Sequence, residues 1–192
     1  MSSGPSRCWE STWSGTSSTA AAGPAAEGSF MDDANRSSNG KAPRDSRMAF
    51  FIMPTTLLRT LRDTASRHLG DEEKVRSLLF ECGADCGRVM VRKMEISSED
   101  KVDIGDTITA LWIEIGLGRL SVKSAEEHEL VVICDDSTEA LANGDTGKMI
   151  CDLTRGYLVG IASTLTGFEW TCTEKSCLSH GDPECVYVLK AK

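Results

Sequence analysis

Cys151, Cys172, Cys177 and Cys185, half of the chain's eight cysteines, fall within its last forty-odd residues, with Glu174, His180 and Asp182 among them. Thiolates and a carboxylate suit a divalent cation better than they suit nucleophilic catalysis. Three sulfurs and one carboxylate oxygen would complete the tetrahedral shell that Zn²⁺ prefers. With four protein ligands no position stays open, so such an ion would be structural.

The elements that must position these groups follow from periodicity. Residues 145–166 predict a helix, with Ile150, Leu153, Tyr157, Ile161 and Leu165 recurring three and four apart. Gly167 stands where a helix-ending glycine belongs. Phe168, Trp170 and Cys172 then alternate with Glu169, Thr171 and Thr173, which is strand spacing. Cys151 lies roughly 22 Å from the helix end at about 1.5 Å per residue. The stretch from Phe168 to Glu174 covers about 20 Å at roughly 3.3 Å per residue. A strand folding straight back therefore brings Glu174 beside Cys151. Glu174 shares strand parity with Phe168 and Trp170, on the face the helix should cover, where a bare carboxylate is costly and a cation removes the cost. The Ser-His-Gly-Asp-Pro turn reverses the chain between Cys177 and Cys185, and Cys185 opens a final strand over residues 186–189. Cys151, Glu174, Cys177 and Cys185 can thus converge. A rival set exchanges in Cys172, one step deeper on the same strand face, or His180 in the turn; the plain alternative is a group of ordinary buried thiols.

This stretch resembles the signature of the 4-vinyl reductase domain family. That family includes the sensory domains of phenol-responsive bacterial activators, archaeal hydrocarbon-binding proteins and bacteriochlorophyll-synthesis proteins. The residues that carry the resemblance are Cys151, Gly156-Tyr157-Leu158-Val159-Gly160, Glu174, Cys177, Gly181-Asp182 and Cys185. It covers roughly residues 55–190, with the specific motifs in the last third. It implies zinc at Cys151, Glu174, Cys177 and Cys185, a homodimer, and a fold related to Golgi-transport and nitric-oxide-sensing ligand domains. The phenol sensors read the phenol hydroxyl with a His and a Trp; the corresponding places here hold Val102 and Leu130, which points to a more apolar guest.

The rest of the chain supplies the remaining elements. Residues 55–69 predict a first helix, with Leu58, Leu61, Ala65 and Leu69 in one stripe. Residues 71–94 predict a second, with Val75, Leu78, Leu79, Cys82, Cys86, Val89 and Met90 inward. Gly83 and Gly87 there suggest close approach by another helix or a ligand. A polar loop over residues 95–105 leads to a third helix capped by Asp106, with Ile108, Leu111, Trp112 and Ile115 inward. Residues 120–134 read as a hairpin turning at Ala125-Glu-Glu-His128. The expected class is α+β: a four-stranded antiparallel sheet with helices packed on one face, in the order αααββαββ. Residues 1–47, rich in Ser, Gly and Ala and without periodicity, are expected to be a disordered tail ahead of one domain over residues 48–192, and Met48 is an alternative first residue. The run Ala49-Phe-Phe-Ile-Met53 is expected to pack under the first helix or add an edge strand.

Composition narrows the function. A net charge of −8, a pI near 4.9 and the lack of a basic cluster argue against direct nucleic-acid binding. No run of eighteen apolar residues offers a membrane span. A basic-then-apolar leader pattern is absent, so the cysteines point to metal and reduced thiols in the cytoplasm. The three histidines, 68, 128 and 180, sit on separate elements, and no nucleophile–base–acid grouping asks for catalysis. The leading expectation is a zinc-containing sensor of a small apolar or aromatic, hydrocarbon-like ligand, acting through a separate partner and involved in transcription regulation or related signalling. Trp112, Ile115, Tyr157, Ile161 and Phe168 are expected to line its pocket. The alternatives are a thiol and zinc redox switch, and an accessory role in reducing a vinyl group of chlorophyll precursors.

Overall fold

The structure, a computed structural model, describes residues 53–94 and 103–192. The expected tail, most of the apolar run before Pro54, and residues 95–102 with Val102 lie outside the described residues. The helices are α1 (Thr56–Leu69), α2 (Glu72–Lys93), α3 (Ile104–Ile115), α4 (Thr138–Asn143) and α5 (Asp152–Thr166). The strands are β1 (Leu120–Glu126), β2 (Glu129–Cys134), β3 (Trp170–Ser176) and β4 (Cys185–Ala191), with a single 3₁₀ turn at Leu178–His180. The sheet runs β1-β2-β4-β3, antiparallel throughout. The α+β class and the antiparallel sheet are as expected.

Strand alternation decides what the sheet buries. Leu130, Val132 and Cys134 of β2, Cys185, Tyr187 and Leu189 of β4, and Trp170, Cys172 and Glu174 of β3 all turn to one buried face. Helices α3 and α5 lie against the sheet, and α2 packs along α5. Trp112, Leu111, Leu158 and Ile161 fill the space between helices and sheet.

The pairing of α2 with α5 is the closest approach in the molecule and explains four glycines. A Cβ at Gly83 would stand 2.1 Å from the Leu153 carbonyl oxygen, and one at Gly87 2.5 Å from that of Tyr157. Reciprocally, a Cβ at Gly156 would stand 2.0 Å from the Phe80 carbonyl oxygen and one at Gly160 2.2 Å from that of Ala84. Backbone meets backbone because no side chain intervenes.

That contact turns α2 away from the expected orientation. Its buried face is Val75, Leu79, Gly83, Ala84, Gly87, Met90 and Val91, so Leu78, Cys82, Cys86 and Val89 are exposed. A stripe of side chains would hold the helices apart, whereas the glycines let them close. In α1, Leu61 and Leu69 are likewise exposed, and the inward positions are Ala65 and Arg62. Helix α3 starts at Ile104, capped by Asp103, whose carboxylate accepts a hydrogen bond from the backbone N–H of Asp106 at 2.9 Å. Helix α4 is not among the expected elements. Six residues are too short to show a helical period. Helix α5 begins at Asp152 instead of residue 145, because residues 145–151 form a loop whose Thr146 and Gly147 N–H groups donate to the Ser179 carbonyl at 2.8 and 2.9 Å.

Candidate functional site

Cys151 ends that loop and immediately precedes α5, so its side chain sits at the helix N-terminus. Glu174 projects from β3 onto the buried face of the sheet. The β3–β4 register slips between Glu174 and Ser176, and this bulge lets Glu174 and Cys177 both face inward. Cys177 leaves β3 and Cys185 enters β4 across the turn. Their ligand atoms and those of Cys151 and Glu174 all lie within 4.8 Å of one another.

The geometry fits a cation and not a disulfide. Cys151 Sγ is 3.7 Å from Cys177 Sγ and 3.9 Å from Cys185 Sγ. A disulfide would need about 2.05 Å. A tetrahedral ion with metal–sulfur bonds of about 2.3 Å spaces its sulfurs by about 3.8 Å. Glu174 is 8% exposed, and its Oε2 accepts the Cys151 N–H at 3.2 Å while its Oε1 is buried without a partner. An orphaned carboxylate oxygen beside three sulfurs is the donor set a divalent metal ion would complete. The four residues brought together are the expected set. Cys172 stays apart on the same strand face, and His180 turns outward to Asp182 at 3.2 Å.

Electrostatics say the same. Burial, and then hydrogen bonding with Cys177, pushes the Glu174 carboxyl up to about 8. Cys151 is driven far above the ordinary thiol range by hydrogen bonding to Cys177 and Cys185 and by burial. Cys185 is pulled down to about 3 because Cys151 and Cys177 stabilise its thiolate. Protons are thus held among the cluster in place of a positive charge, and metal binding would release them. Backbone dipoles assist: the Leu178 N–H donates to Cys185 Sγ at 3.4 Å, and the Cys177 N–H to Asp182 Oδ2 at 2.9 Å. Ser137 Oγ lies 3.5 Å from Cys151 Sγ.

Sequence reasoning missed a second polar group around the start of α5. Asp152, fully buried, faces Arg62 at 2.7 Å, Arg76 at 3.3 Å and Arg155. Arg62 also donates to the Ile150 carbonyl at 2.5 Å, so one guanidinium grips both neighbours of Cys151. Glu139 of α4 accepts the N–H groups of Leu153 and Thr154 at 3.1 and 2.8 Å, capping α5 from outside the helix. Its only sequence signal was a lone acid in a segment too short to classify.

The expected lining residues divide. Trp112 and Ile161 are wholly buried, and Ile115 and Tyr157 are packed against the same core. Trp112 meets Tyr157 edge-on at 6.2 Å, and its indole N–H is buried without an acceptor. Phe168 lies elsewhere: it is 46% exposed, with its ring 5.8 Å from that of His128. It precedes β3, so strand parity does not bind it. Among the described residues no helix is long and apolar enough to cross a membrane.

Comparison with known proteins bears out the family resemblance. The family model for the vinyl-4-reductase domain matches residues 130–191. An uncharacterized protein of Methanocaldococcus jannaschii is 21% identical over 116 residues, 60% of this chain and 65% of that protein. The match thus spans just under two thirds of the relative's length. Among solved structures, the phenol-responsive sensory domain of the transcription activator PoxR, determined with phenol, aligns with a TM-score of 0.66 and 21% identity, over 74% of this chain and 76% of that one. A trafficking protein particle complex subunit 3 from Naegleria fowleri, covalently bound to palmitic acid, aligns at 0.53 and 15%, over 72% and 94%. An H-NOX protein from S. oneidensis aligns at 0.52 and 11%, over 79% and 81%. At these identities the likeness speaks for the fold.

Proposed function

We propose, from the vinyl-4-reductase domain match over residues 130–191, that residues 48–192 form a zinc-holding sensory domain for a small aromatic or apolar guest. It would work as a homodimer in the reducing cytoplasm and signal through a separate partner. The observation that carries the ligand half is the Trp112 N–H, buried between α3 and α5 with no acceptor. An unpaired buried donor costs about 1–3 kcal/mol. A guest presenting one acceptor atom beside Trp112 and Tyr157 would recover that cost, with apolar Ile161 and Ile115 around its body. The sensory neighbour determined with phenol supports the reading as a likeness of fold. Of the expected lining set, Trp112, Ile115, Tyr157 and Ile161 remain in the proposal.

The chemistry of the cluster supports zinc: three thiolates and one carboxylate are soft-to-borderline donors in a closed set. A metal ion there would supply charge neutralisation and cross-linking, not bond making. Cys151 would then tie α5 to the β3–β4 turn through Glu174, Cys177 and Cys185. The redox alternative loses two of its helper thiols, since burial pushes both Cys134 and Cys172 up to about 12, where they are poor nucleophiles.

Native mass spectrometry of the full chain tests the zinc and the dimer together. We expect one zinc per chain in a dimer, and loss of the metal in Cys177→Ser. A metal-free wild-type chain would remove the zinc half. For the guest, thermal stabilisation by a panel of small phenols and aryl ketones is expected in the wild type and weakened in Trp112→Phe. Equal stabilisation of both would remove the Trp112 role.

A further inference from the structure

A cleft of about 380 Å³ opens between α2, α5 and β3. One wall is apolar: Phe80, Val159 and Trp170. The other is basic: Arg76, Arg155 and Lys192. It lies away from Trp112. Arg155 and Val159 are each two residues from Tyr157 and Ile161 along α5, about 200° round the helix.

The basic wall carries uncompensated charge. Asp152 is the carboxylate shared by Arg62, Arg76 and Arg155, so three guanidinium groups converge on one buried anion. The second carboxyl near them, Glu139, is pushed up to about 7 by burial and is only partly ionised at neutral pH. Arg155 is fixed, stacked 5.6 Å over Phe80 with one terminal nitrogen on Asp152 and the other on the Cys172 carbonyl, and its Nε is buried without a partner. Among the described residues Arg76 spends only its Nε on Asp152, at 3.3 Å, which leaves its two terminal nitrogens as a fork. Glu73 is the acid in the lining; it is exposed at the rim. Lys192 is loosely held by Glu169 at 3.8 Å.

A planar fork beside an aromatic and aliphatic wall is the recognition set for a carboxylate attached to a small ring. A volume of about 380 Å³ is near the lower end for small-molecule sites, which suits a single ring. We propose that this cleft is a second small-molecule site, for an aromatic monocarboxylate of benzoate or phenylacetate size. The carboxylate would meet the Arg76 fork, and the ring would lie against Trp170 and Val159. This site is independent of the guest proposed beside Trp112.

Titrating the full-length chain by calorimetry with phenylacetate, 2-phenylethanol and acetate tests it. Phenylacetate is expected to bind, with 2-phenylethanol and acetate each at least about tenfold weaker, since each lacks one half of the recognition set. Arg76→Gln should weaken phenylacetate by about tenfold or more and flatten its salt dependence. Ser77→Trp, a substitution at an exposed position of the lining, should block binding while leaving the melting temperature near that of wild type. Equal affinity for the alcohol, binding of acetate as tightly as phenylacetate, no phenylacetate binding at all, or undiminished binding in either variant would overturn the proposal. Stabilisation by neutral phenols that survives in Ser77→Trp would leave the Trp112 guest standing whatever the carboxylate does.

Discussion

Glu139 shows how one buried carboxyl can be asked to do two opposed things. It caps α5 through two backbone N–H groups and lies 3.7 Å from an Arg62 terminal nitrogen, both of which favour its anion. Burial outweighs them and lifts it from 4.5 to about 7. A carboxyl whose folded value is raised binds its proton more tightly in the folded state. Its stabilising contribution is therefore complete below about 4.5 and is lost as pH rises towards about 7. Urea unfolding of the wild type should show that decline, worth on the order of 3 kcal/mol for this group, and Glu139→Gln should flatten it. A wild-type stability that rises over the same window, with the variant unchanged, would mean that the cap and Arg62 dominate. Cys151, Glu174, Cys177 and Cys185 were legible at this scale because their types are rare and their spacing constrains geometry. Asp152, Arg62 and Glu139 were not, because charged residues are common and only folding reveals which are buried.

At the scale of elements, the α2–α5 contact makes a sharp claim about substitution. Gly156→Ala would drive a methyl group to 2.0 Å from the Phe80 carbonyl oxygen, which belongs to the backbone and cannot rotate aside. The helices must separate, and a loss of about 3 kcal/mol or more in unfolding free energy is expected. Alanine at Gly144 meets nothing within 4 Å and is strained only by its positive φ, so about 1 kcal/mol is expected there. Comparable losses in the two variants would show that the helices are not in backbone contact. The sequence announced this contact through Gly83 and Gly87, yet the apolar count over α2 pointed to the wrong face. Periodicity weighs side-chain polarity and is blind to a face chosen for having no side chain. The same blindness placed Cys82 and Cys86 in the core, whereas they are exposed. The start of α5 is displaced from its expected place because loop 145–151 is held by the Ser179 carbonyl, a partner far off in sequence.

For the whole molecule, the donor cluster joins segments from two sides of the fold: the loop before α5 and both ends of the β3–β4 connection. Binding energy at such a point becomes folding energy. Stripping the metal with a strong chelator should lower the melting temperature, and added zinc should restore it in a concentration-dependent way. A melting curve indifferent to both would mean that the thiols suffice without an ion.

Arg62 gives the first helix a say in this. It is the group on α1 that reaches the peptide carbonyl on one side of Cys151 and the carboxylate on the other. Were α1 to swing outward, the anchorage of the cysteine would slacken on both flanks at once, and Asp152 would be left with Arg76 and Arg155 alone. Whatever grasps the domain at its leading helix could thereby be felt at its closing hairpin, with no sulfur touched.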